Sequence, residues 1–117
     1  MNIEEKKQLR DELRALAISA TEPNSAKGYA AFGINKGNKF RIAVSVGKDG
    51  AYFRTENQTL LASLADRGIT FIPFNEGKPR SKKKYMFPDL TISQIRQNEP
   101  EFRTLVCDSI AHVEGGY

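Results

Sequence analysis

The densest chemistry-bearing run in the sequence is Lys78-Pro79-Arg80-Ser81-Lys82-Lys83-Lys84, five cations in seven residues. Proline and serine within it keep it from reading as a helix. A cationic loop of this kind tracks a phosphate backbone by releasing condensed counterions, a source of affinity that needs no base recognition. Lys39 and Arg41 extend such a surface from the polar face of a strand, and Lys36, Lys48 and Arg54 add to it. Tyr52 and Tyr85 each neighbour a cation and are expected to face outward as stacking platforms for single-stranded bases. Phe53 and Phe87 are expected behind them, on the opposite face. The same residues also have a plain structural reading. Lysines on exposed strands discourage edge-to-edge aggregation, and aromatic residues in strands are mostly core.

Other chemistry is sparse. Gly28 and Gly33 have the glycine spacing of a phosphate-binding P-loop, but Ile34 and Asn35 stand where Lys and Ser/Thr are required, so no cofactor is expected. Cys107 and His112 are the only residues of their types. Five positions apart on a helix, they point about 140° from one another and cannot form a nucleophile–base pair. Cys107 is expected half-buried and His112 at the surface or its boundary. One Cys and one His are too few for a zinc site, and no metal is expected. Glu76-Gly77-Lys78 has the Glu-x-Lys spacing of a metal-dependent nuclease half-site. Such a site needs a second acid on a neighbouring strand to share Mg²⁺. Asp49 is explained by turn chemistry and Asp66 falls in a helix, so an enzyme is not expected.

The elements that position these residues follow from periodicity. Leu9, Leu13, Leu16 and Ala20 recur at helical spacing behind Asn2, a capping residue, and Thr21-Glu22-Pro23 ends the pattern. Tyr29–Ile34, Lys39–Val46 and Ala51–Arg54 read as strands joined by the turns Asn35–Asn38 and Gly47–Gly50. In the second of them Phe40, Ile42, Val44 and Val46 alternate with Lys39, Arg41, Ala43 and Ser45, the pattern of a half-buried strand. A helix over Glu56–Arg67 starts at a Thr55/Gln58 capping box, buries Leu60, Leu61 and Leu64, and stops at Gly68. Ile69–Phe74 is a strand placed at an edge by Pro73. Lys84–Leu90 is an optional return strand interrupted by Pro88. Thr91–Gln97 is a short helix. A longer one starts at Asn98-Glu99-Pro100-Glu101 and faces inward with Phe102, Leu105, Val106, Ser109, Ile110 and Val113. The order α-β-β-β-α-β-(β)-α with hairpin connections is α+β, with three to five mainly antiparallel strands in one domain over residues 1–117.

The charge is unevenly spread. Residues 28–90 carry eleven basic and five acidic groups, net +6, whereas residues 91–117 carry two and four, net −2. Nine of the eleven aromatic residues also fall in 28–90. With 117 residues, 39% hydrophobic and 27% charged, the composition excludes a disordered tail, a collagen-like repeat and a disulfide scaffold. Residues 1–20 hold Glu4, Glu5, Asp11 and Glu12, unlike a signal or transit peptide, and no apolar run approaches a membrane span. A reducing, cytoplasmic setting is expected, with a monomer or homodimer and no membrane partner.

Helix, three antiparallel strands and helix resembles the topology of double-stranded-RNA-binding domains. That family carries basic residues at the start of its second helix, where this chain has Thr55-Glu56-Asn57-Gln58, so no family assignment follows. The expectation is a non-enzymatic nucleic-acid-binding protein that contacts the backbone through residues 36–54 and 78–85. The alternative is a small inhibitor or adaptor that docks its basic face on an acidic or nucleic-acid-binding surface of a larger protein.

Overall fold

The computed structural model describes residues 2–17, 30–74 and 83–115. Along the chain these form α1 (Ile3–Arg14), β1 (Ala31–Lys36), β2 (Lys39–Val46), β3 (Ala51–Arg54), α2 (Gln58–Asp66), β4 (Ile72–Pro73), β5 (Lys84–Phe87), α3 (Ile92–Gln97) and α4 (Glu99–Glu114). The α+β class and the element order are those expected.

Local signals set most helix ends. Asn2 Oδ1 accepts from the Glu5 amide at 2.8 Å and starts α1, with Glu4 and Glu5 complementing the helix dipole. The helix stops at Arg14, and Ala20 lies outside the described residues. α2 starts two residues later than the capping box predicts. Asn57 is its cap, accepting from the Leu60 amide at 2.9 Å. Thr55 is fully buried and otherwise engaged: its hydroxyl donates to Asp108 Oδ2 at 2.7 Å and accepts from the Asn57 amide at 3.0 Å. Gly68, at φ +79°, closes α2 in a conformation that costs glycine little. Asn98 precedes α4 but makes no capping bond; its side chain accepts from Arg67 at 2.8 Å and donates to the Gln94 carbonyl at 2.8 Å.

The sheet order is β1-β2-β3-β5-β4, with every neighbouring pair antiparallel. The optional return strand is therefore an interior one, and it ends before Pro88. The stretch Ile69–Phe74 contributes only Ile72 and Pro73 to the ladder, at the edge. Proline is tolerated there because an edge residue can do without an amide donor. The Phe74 amide still reaches the Lys84 carbonyl at 2.7 Å.

The clean alternation of β2 is broken by a bulge. Phe32 pairs with Val44 but Gly33 pairs with Ile42, so Ala43 is an extra residue. The bulge inverts the expected faces at the β1 end of the strand. Ile42, predicted to be core, is 55% exposed, and Ala43, predicted to be outside, is buried. Gly33 permits this: a Cβ there would lie 1.9 Å from the Arg41 carbonyl oxygen.

α4 and α1 pack against one face of the sheet around a core that includes Leu9, Leu13, Phe32, Val44, Phe53, Leu64, Phe87 and Phe102. The rings of Phe53, Phe87 and Phe102 lie 5.3–6.2 Å apart. Each such burial contributes roughly 1.5–3 kcal/mol. Ser109 Oγ accepts from the Arg54 amide at 2.9 Å, and Lys36 Nζ donates to the Glu114 carbonyl at 3.2 Å, fastening the C-terminal half of α4 to the sheet. Two expectations on α4 are reversed. His112 is buried at 4%, because α4 is covered over more than its apolar stripe, and Cys107 is exposed, because it lies outside the covered face formed by Phe102, Leu105, Val106, Ser109 and Ile110.

Candidate nucleic-acid interface

Strand register separates two faces. Ala51 and Phe53 lie opposite Phe87 and Tyr85 and point at the helices. Tyr52 and Arg54 lie opposite Met86 and Lys84 and point away from them. Ser45 opposes Tyr52, and Ile72 opposes Met86, so this second face runs from β2 to the β4 edge. It is unusually apolar for an open face: Ile42 is 55%, Ile72 46% and Phe74 43% exposed. Ile72 and Phe74 stand two residues apart at the β4 edge, whereas Ile42 lies on β2 towards the β1 side of the sheet.

At the β4 side of this face sits a cation between two rings. Tyr52 and Phe74 meet edge-to-face with centroids 5.3 Å apart. Lys84 Nζ lies 5.2 Å from each centroid. The ammonium is drawn there by the negative ring faces. β5 makes the arrangement possible, since its alternation sends Lys84 and Met86 outward and Tyr85 and Phe87 inward.

The residues singled out in the sequence are distributed as follows. Tyr52, Arg54 and Lys84 share the open face. Lys83 is exposed at the entry to β5, and Lys48 is exposed in the β2–β3 turn. Tyr85 is not outward: it is 4% exposed, on the covered face, with its hydroxyl accepting from Gln58 at 3.3 Å. Its parity with Phe87, two residues on, requires the two to share a face. Lys39 and Arg41 are exposed but also fall on the helix side, at its rim: beyond the bulge Arg41 opposes Ile34 and Lys39 opposes Lys36, whose side chains turn to the core and to α4. Lys78, Arg80 and Lys82 lie outside the described residues, as does Glu76. Phe74, Ile72 and Ile42 belong to the open face and were not singled out. The alternation of Phe71-Ile72-Pro73-Phe74 carries the signal for two of them, because Phe71 packs inward on Tyr85 and Phe87.

Little other chemistry is assembled. Among the described residues no three His, Cys, Asp or Glu side chains gather to hold a metal ion. Asp49 and Asp66 are exposed, in a turn and on α2. A cleft of about 200 Å³ between α1 and α3 is lined by Glu12, Leu16, Ile95, Arg96 and Glu99. It is smaller than the roughly 300–1,000 Å³ of ligand pockets. Its Arg96 already donates to Glu12, which raises the guanidinium pKa above its usual value. Among the described residues no helix is long and apolar enough to cross a membrane. No protein family, curated protein or solved structure matches this chain.

Proposed function

We propose that this protein binds nucleic acid through the open face of its sheet. The observation that carries the reading is the Tyr52–Phe74 ring pair with the Lys84 ammonium 5.2 Å from both centroids. A base and its phosphate present the complementary surfaces, one flat and aromatic, the other anionic. Phe74 and Lys83 flank residues 75–82 in the chain, and the Phe74 amide is bonded to Lys84. In the sequence, the described residues Lys83 and Lys84 close the cation-rich stretch 78–84. Arg54, opposite Lys84, adds charge to the same face.

A titration of mixed-sequence oligonucleotides at several salt concentrations tests the reading. Contact with about five phosphates gives a log K against log salt slope between roughly −3.5 on single strands and −4.5 on duplex. Replacing Lys82, Lys83 and Lys84 together by Ala flattens it by about 2–3. Absence of binding at low salt overturns the reading. A protein-docking function is favoured by one separate observation, the exposure of the aliphatic Ile42 and Ile72. Recovery of a stoichiometric protein partner after nuclease treatment, with no oligonucleotide binding, selects it instead.

A further inference from the structure

Resting on that reading, we infer that the ligand is single-stranded, with one unpaired base stacked on Phe74 beside Tyr52 and its phosphate met by Lys84. Phe74 remains 43% exposed on the open face although it already contacts Tyr52 and the Lys84 ammonium. It adjoins β4, the edge strand of the sheet among the described residues. Lys84 supplies the charge at the same spot, within 5.2 Å of both rings.

Duplex geometry does not fit this surface. Base faces in a duplex are hidden by stacking, and only base edges are displayed in the grooves. The rings lie on a five-stranded sheet. With strands about 4.8 Å apart such a sheet is roughly 19 Å across. The major groove of B-DNA is about 12 Å wide and admits a helix or a two-stranded ribbon. A duplex thus offers the ring pair base edges and phosphates but no open base face on which to stack. An unpaired base offers its full π-face, and stacking tolerates any base identity.

The test compares a mixed-sequence 15-nucleotide single strand with the 15-base-pair duplex of the same sequence at equal salt. The single strand is expected to bind at least about tenfold more tightly. Phe74→Ala is expected to lower single-strand affinity by about 5- to 150-fold, the range of one lost stacking contact. Its salt slope is expected to stay unchanged because no phosphate contact is removed. Phe74→Trp is expected to retain binding and to show fluorescence quenching on addition of the strand. Phe74→Leu, apolar but unable to stack, is expected to behave like Phe74→Ala. Thermal unfolding of each variant confirms that the fold is intact. Equal or tighter duplex binding, or wild-type affinity in Phe74→Leu, overturns the single-strand inference while leaving nucleic-acid binding in place. Failure of both oligonucleotides to bind overturns both.

Discussion

Phe53 and Phe74 both stand on this sheet, one 0% and the other 43% exposed. Phe53 is held by Phe87 and Phe102, rings from a neighbouring strand and from α4. Phe74 touches Tyr52 and a lysine. The covered face has its aromatic partners within the chain, and its rings carry stability. On the open face one ring pair is left half-exposed with a cation, an arrangement that contributes little to folding. Composition does not separate the two faces: each carries aromatic and aliphatic residues.

The largest test of this contrast is a pair of substitutions. Phe53→Ala is expected to cost about 3–5 kcal/mol in denaturant unfolding. Phe74→Ala is expected to cost about 1 kcal/mol, the value of an exposed aromatic pair. Comparable losses at the two positions would break the contrast. Next comes the bulge that exposes Ile42. Gly33→Ala places a Cβ 1.9 Å from a backbone oxygen, and a cost of about 2–3 kcal/mol is expected in the same measurement. A neutral result would mean that the bulge relaxes freely. Thr55→Val keeps the shape and removes the hydroxyl that links β3 to Asp108 on α4. A loss of about 1–3 kcal/mol is expected, because the Asp108 carboxylate and the Asn57 amide lose a partner. The smallest effect is Asn57→Ala, about 1 kcal/mol by thermal unfolding, which distinguishes Asn57 from Thr55 as the α2 cap.

Much of the fold was legible because its signals are local. Asn2 and Gly68 mark helix ends through bonds and backbone angles within one turn. The bounds of β2 and the buried stripe Leu60, Leu61 and Leu64 follow directly from periodicity. The candidate site was legible only in part. Tyr52, Arg54 and Lys84 share a face as a basic strand surface requires, but Tyr85, Lys39 and Arg41 do not. Tyr85 has the same strand parity as Phe87 and is therefore turned to the covered face. Lys39 and Arg41 were misplaced by a bulge whose cause, the approach of Gly33 to Arg41, joins two strands. Thr55 has the local spacing of a cap, and only Asp108, 53 residues away in the chain, draws its hydroxyl elsewhere.

Periodicity, turn chemistry and capping are properties of a few consecutive residues, and they were enough to establish an α+β chain with a basic, aromatic-rich middle. Which side of each strand meets helices is different. It depends on register, on one inserted residue at Ala43, and on the entry of β5 between β3 and β4. Those are pairings between distant segments, and side-chain direction alternates at every residue, so a slip of one position exchanges core for surface. The meeting of Tyr52, Phe74 and Lys84 is set at that level: three residues from three segments, brought to one point only when the sheet closes.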